Sequence, residues 1–164
     1  MLLVPIGDFP DKLLRNLSRR AGIPVGAPRV DPAIAFSPNR GQYDSNRLLA
    51  ELKSRYEGPV IAAADCDLYI PVLTFVFGEA EMPGRAAVFS IHRLRDEFYG
   101  LPADARLLEA RALREMKHEM GHMSGLPHCP DYSCVMSSSH SVERVDSKTA
   151  GYCEDCQARL RVGV

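Results

Sequence analysis

The run His118-Glu119-Met120-Gly121-His122-Met123-Ser124-Gly125-Leu126-Pro127-His128 brings three imidazoles and a carboxylate close together in the chain. On a helix, positions i and i+4 share a face, with Cβ atoms about 5–6 Å apart. Two imidazoles so placed can reach one ion at a Zn–N distance of ~2.0–2.1 Å. A third ligand cannot come from the next helical turn and still close a tetrahedral face. The chain has to leave the helix, and Gly125 and Pro127 suit that departure. Glycine takes up the left-handed conformation that ends a helix, and proline prevents its continuation. His128 is then delivered from outside. Three neutral histidines leave the ion an open fourth position, where the pKa of water falls towards ~7. Glu119, adjacent to His118, can accept that water's proton and later pass it to a leaving amine. The chemistry such a set could do is hydrolysis of a peptide bond. A bare H-E-x-x-H arises by chance, but a Gly and a third His at these spacings make the signal specific.

The second constellation is sulfur. Cys129 directly follows the third histidine, Cys134 comes next, and Cys153 and Cys156 form a C-x-x-C. Two such pairs separated by a loop make a closed, tetrahedral zinc site with a structural role. The alternatives are two disulfides, or a redox C-x-x-C lacking its usual strand-to-helix context. A zinc held there would fix the loop that carries His128. Cys66 is left over, as a small residue at a strand end.

The elements that must position these groups are legible as patterns. Leu2 to Ile6 reads as a buried strand, and Asp11 to Arg20 as a helix with Leu13, Leu14 and Leu17 on one side and Gly22 as its C-cap. Ile23 to Val30 reads as a strand with irregular edges, and Asn39 to Tyr43 as a polar loop. Asp44 or Ser45 can cap a helix through Leu48, Leu49 and Leu52 to Tyr56. Val60 to Ala64 reads as a strand. Thr74 to Glu79 and Ala86 to Leu94 suggest a hairpin around Met82-Pro83-Gly84. Pro102 opens a helix running from about Ala103 to Ser124 and stopped by Gly125. Within it, Leu113, Met116, Met120 and Met123 lie opposite His118 and His122. The tail is irregular until Gln157–Leu160.

The expected fold class is therefore α/β (α+β): a mixed twisted sheet packed on helices, with an active-site helix and a small irregular C-terminal part. We expect one domain over 1–164, with an N-terminal subdomain to about 125 and a metal-bearing subdomain from about 126. Net charge is −1, which supplies no basic field for nucleic acid. Arg144 and Lys148 lie between the cysteine pairs, but Glu143 and Asp146 offset them. No run approaches the ~18 apolar residues of a membrane span, and the N-terminus lacks the basic stretch of a signal peptide. A cytoplasmic monomer without a propeptide is expected, acting on peptides or unfolded protein.

The motif residues resemble the metzincin metallopeptidases, which share H-E-x-x-H-x-x-G-x-x-H and a methionine turn beneath the metal. Met136, in Cys134-Val135-Met136-Ser137, matches that methionine. The pattern is most similar to the archaemetzincin family, which adds a Cys after the third His, a Cys two residues before the Met and a later C-x-x-C. These match Cys129, Cys134, Cys153 and Cys156. Phe77-Gly78-Glu79-Ala80, Gly84 and Ser90-Ile91-His92-Arg93-Leu94 resemble the family upstream. The resemblance implies a compact metzincin-like fold and two zinc ions, one catalytic and one structural. It also implies an edge strand that aligns the peptide, for which Thr74–Glu79 is the candidate. It implies that Met136 packs under the histidines without ligating. Some metzincins place a tyrosine after the turn to assist the oxyanion. Tyr152 is the candidate, or else a packing residue beside the C-x-x-C.

The remaining polar residues carry blander readings. His92 and His140 could approach the cleft or be ordinary hydrogen-bonded histidines. Arg111, Arg114 and Glu115 could contact substrate or form an ion-paired helix face. Asp65 and Asp67 flank Cys66 and are assigned no role. The function expected is a zinc metallopeptidase of internal or aminopeptidase-like action. The alternative is a non-catalytic or latent zinc protein that binds peptides or a partner in the same cleft.

Overall fold

Short apolar runs bounded by Gly, Pro and charge become the strands of one mixed sheet. The computed structural model describes residues 1–162 of the chain. In order these are β1 (Leu2–Ile6), α1 (Asp11–Ala21), β2 (Phe36–Ser37), β3 (Gln42–Asp44), α2 (Ser45–Arg55), β4 (Val60–Ala64), β5 (Leu68–Tyr69), β6 (Gly78–Ala80), β7 (Ala86–Ser90), α3 (Ala105–Met123), α4 (Val142–Asp146) and α5 (Glu154–Val162). The main sheet has the order β1-β4-β7-β6. Its first three strands are parallel, and β6 runs antiparallel to β7 at the edge. A small second sheet joins β2, β3 and β5.

Every residue of β4 and β7 is buried, as expected of parallel strands covered on both faces. Alternation divides their side chains. Leu3, Ile61, Ala63, Ala87 and Phe89 pack with Leu14 and Leu17 of α1 and with Leu113 and Met116 of α3. Val4, Ile6, Val60, Ala62 and Val88 pack with Leu48, Leu49 and Leu52 of α2 on the other side. The result is a three-layer α/β arrangement, with α3 laid across the β6–β7 edge. A third, smaller cluster gathers Leu126, Val135, Met136, Cys134 and Cys156.

Several elements depart from expectation. Ile23–Val30 is not a strand of the sheet. It follows β1 through two isolated bridges, Leu3 to Val25 and Ile6 to Val30. Pro24 and Pro28 remove the donors that a continuous ladder needs. The expected loop at Asn39–Tyr43 ends in β3, because Gln42 and Tyr43 pair with Ser37 and Phe36. Of Thr74–Glu79, only Gly78 and Glu79 fall in β6, and Val76 makes a lone bridge to Leu68. β7 stops at Ser90, and His92–Leu94 is a 3-10 turn. Helix α3 begins at Ala105 because Asp104 caps it, accepting from Arg106 N and Leu107 N at 2.9 Å. Pro102 precedes that cap. Among the described residues, no helix is long and apolar enough to cross a membrane.

Candidate active site

Helix α3 ends in a left-handed glycine turn. Gly125 has φ 88°; its N–H donates to His122 O at 2.8 Å, and Leu126 N donates to Gly121 O at 3.0 Å. Those two bonds, with Leu126 wholly buried, make a Schellman motif. The turn reverses the chain so that His128 faces the helix it has left. It also offers the Leu126 carbonyl to His122 Nδ1 at 2.7 Å. His118 Nδ1 donates to Val135 O at 2.8 Å. A carbonyl can only accept, so both Nδ1 atoms carry the protons and both Nε2 atoms are bare lone pairs. These face each other at 3.0 Å. Two acceptors at that distance repel unless a cation lies between them. The ring centroids of the three histidines are 4.5–5.3 Å apart, and one nitrogen of each falls within 4.8 Å of the others. The donor set fits a zinc ion with an open position. Burial pushes His118 down to about 3 and lowers His122 and His128, so the rings are neutral near pH 7, as ligands must be.

Glu119 is buried beside these rings. Burial, then the Glu115 and Glu79 carboxylates, raise it well above the usual carboxylate range. Its side chain rests against the backbone of Gly78 on β6. A Cβ added at Gly78 would lie 2.4 Å from Glu119 Oε1 and 2.8 Å from Cδ. Only glycine lets the edge strand come so close. We expect Gly78→Ala to lower kcat by about 100-fold, because a displacement near 1 Å costs that much, while zinc content is retained. Steady-state kinetics beside metal analysis checks this, and a wild-type kcat would contradict it.

A cavity of about 370 Å³ opens from the histidines between residues 73–78, α3 and the segment after Met136. Glu115, His118, Glu119, Ser138, Ser139 and His140 lie along it. The Ser139 hydroxyl is buried there without a protein partner among the described residues. His140 therefore does reach the cleft. His92 does not line it; its ring packs edge-on against Phe98 at 5.3 Å.

The four cysteines come together, with their sulfurs within 4.8 Å of one another and Cys129 next to His128 in the chain. Cys129 Sγ lies 3.7 Å from Cys153 Sγ, and Cys134 Sγ lies 3.8 Å from Cys156 Sγ. A disulfide needs ~2.05 Å. The edge of a tetrahedron of sulfurs about 2.3 Å from zinc is about 3.8 Å. The N–H groups of Met136 and Cys153 both donate to Cys134 Sγ at 3.4 Å, which orients that sulfur. This set fits a closed structural site.

Met136 packs against α3 at the one place where the helix has no side chain. A Cβ on Gly121 would lie 2.2 Å from Met136 Sδ and 3.1 Å from the Tyr152 ring. We expect Gly121→Ala to cost at least the ~1–3 kcal/mol of an overpacked core, read as a lower melting temperature. An unchanged melt would contradict the close approach. Tyr152 takes the packing role. Its hydroxyl donates to Lys117 O at 2.7 Å, and burial pushes its pKa up to about 12.

Arg111 and Glu115 are buried and ion-paired. Arg111 bonds Asp96 and Asp146 at 2.7 Å, and Glu115 faces Lys148 at 3.5 Å. Arg114 stands 3.9 Å from Asp146. Asp67 pairs with Arg93, and Asp65 with Arg95. Buried Cys66 has its thiol pushed up to about 12, by burial first and then by these two carboxylates. The sequence shows Gly78 only within the run Phe77–Ala80, Gly121 only within H-E-x-G-H and Lys148 only as a charge between the cysteine pairs; the contacts that give these residues and Ser139 their roles come from packing.

The model of peptidase family M54 matches residues 17–162. The archaemetzincin of Methanocaldococcus jannaschii is 42% identical over 162 residues, covering 96% of this chain and 90% of the relative. The crystal structure of the archaemetzincin of Methanopyrus kandleri superposes with a TM-score of 0.83 at 35% identity, covering 99% of this chain and 94% of that one. A zinc-dependent peptidase from Methanocorpusculum labreanum superposes with a TM-score of 0.81 at 27% identity, covering 98% of this chain and all of that one. The same fold, carrying the histidines and cysteines grouped as described, leaves one conclusion: this chain belongs to the archaemetzincins, peptidase family M54, and is a zinc metallopeptidase.

Proposed function

We propose that the cleft hydrolyses peptide bonds in extended peptides or unfolded segments. His118, His122 and His128 hold the catalytic zinc, and Glu119 is the general base. Cys129, Cys134, Cys153 and Cys156 hold a second, structural zinc. The observation that carries the catalytic assignment is the pair of bare Nε2 atoms 3.0 Å apart, each fixed by a carbonyl at its Nδ1. Zinc held there supplies a Lewis acid for the scissile carbonyl and the attacking water. Glu119 takes the proton from that water and delivers it to the leaving amine.

The substrate strand is oriented by β6. Ser90 N donates to Phe77 O at 2.8 Å and Glu81 N to Ala86 O at 3.1 Å, so Phe77, Glu79 and Glu81 face β7. By alternation, the backbone groups of Gly78 and Ala80 face the free edge above the histidines. A peptide pairing with them extends the sheet by one strand. The cavity lined by Ser139 and His140 then receives a side chain next to the scissile bond. Glu79 bonds Ser45 and Glu81 bonds Lys53, so neither is offered to an α-ammonium group. That favours cuts within an extended segment over release of an N-terminal residue. Four thiolates committed to zinc fit a reducing, cytoplasmic setting, and the whole site is built within one chain, in keeping with a monomer.

The test is a diverse peptide library incubated with the zinc-loaded protein and read by mass spectrometry, with Glu119→Ala in parallel. Cleavage by wild type alone supports the assignment, and the cut positions separate internal from N-terminal action. Absence of cleavage by either protein would count against it and favour a binding role.

A further inference from the structure

The segment from Asp146 to Tyr152 lies along α3, running in the same direction as the helix. Arg111 Nε and Nη2 bond Asp146, Glu115 faces Lys148, Lys117 Nζ donates to Ala150 O at 2.9 Å, and Tyr152 donates back to Lys117 O. One of these contacts is unlike the rest. The Lys148 side chain has no exposure and that of Glu115 has 3%. A lysine is almost never fully buried unless paired. Drawing two charges out of water costs several kcal/mol per ion, and a packed apolar pair commonly stabilises as well or better. Adhesion alone would not require this pair.

The other contact of the ammonium indicates what the charge does. Lys148 Nζ lies 3.4 Å from Val135 O, the oxygen that accepts from His118 Nδ1 at 2.8 Å. Val135 stands between Cys134 and Met136, and its N–H donates to Gly151 O at 2.9 Å. The residue whose carbonyl sets the His118 ring is thus held at both its backbone groups by one strap, through Lys148 on the oxygen and Gly151 on the nitrogen. Glu115 lies one helical turn before Glu119 and keeps the ammonium in place from α3.

We propose that Lys148 is a positioning residue for the metal site: with Glu115 it fixes the Val135 carbonyl, and through that carbonyl the ring and proton of His118. Such partners decide which nitrogen of a histidine is free and where its lone pair points. The inference rests on His118 being a zinc ligand.

Lys148→Met alone would strand the Glu115 carboxylate, so the pair is replaced together, Lys148→Met with Glu115→Leu. Metal affinity of the histidine site is measured by chelator competition, its geometry by the cobalt(II) absorption spectrum, and stability by thermal melting. The expected variant melts close to wild type, binds metal at the histidines about 10- to 100-fold more weakly, and shows a shifted cobalt spectrum. On peptides that the wild type cleaves, its kcat falls while KM holds. A folded variant with wild-type affinity and spectrum would overturn the inference alone. Loss of the fold in the paired variant would overturn it too, by assigning Lys148 to general stability. Wild-type protein that takes up no metal at the histidines would overturn the ligand reading and this inference with it.

Discussion

Glu119→Gln is expected to lower kcat by about 10²–10⁴-fold while zinc content stays at the wild-type level. The amide keeps the shape that fits against Gly78 but cannot accept a proton. The variant should melt close to wild type, because the amide keeps the packing against Gly78. Loss of activity without loss of metal or stability separates a role in the chemistry from a structural one. A variant with wild-type kcat would remove Glu119 from the chemistry.

The second large effect is expected from Cys153→Ser combined with Cys156→Ser. Apparent binding energies of structural zinc in small domains reach about 10–16 kcal/mol, and that energy is folding energy for the segment it closes. The third apolar cluster, built on Leu126, Val135 and Met136, includes Cys134 and Cys156 themselves. Losing the sulfur site should loosen residues 126–162, with a lower melting temperature and faster amide exchange there. The damage should also spread. Cys129 adjoins His128, and Val135 O holds His118, so the histidine site should bind zinc more weakly although no histidine has changed. A melt and a metal count unchanged from wild type would contradict a structural zinc.

The grouping of the three histidines is largely legible in the sequence because its information is local. The i, i+4 histidines, the glycine that ends the helix and the histidine beyond it lie in one short run, and each has a conformational reason to be there. The cysteines were legible by number and spacing. The central strands β1, β4 and β7 were legible as apolar runs. What escaped depends on contacts far apart in sequence. Lys148 reads as one more surface charge beside Arg144, and only packing against α3 buries it. Gly78 reads as an ordinary residue in a strand, and its need to be glycine comes from Glu119 on another element. Thr74–Phe77 has strand-like composition, but the chain there bridges Leu68 at Val76 and joins the sheet only at Gly78. Ile23–Val30 has the composition of a strand with irregular edges, but its prolines leave it beside β1 without a ladder.

Anomalous diffraction at the zinc edge from crystals of the wild-type protein and of His128→Ala locates both metals directly. Two peaks are expected in the wild type, one among the Nε2-bearing rings of His118 and His122 with His128, and one at the centre of the four sulfurs. His128→Ala is expected to keep the sulfur peak and to lose occupancy at the histidines. A wild-type map with no peak at the histidines, or a His128→Ala map with that peak undiminished, would contradict the ligand assignment.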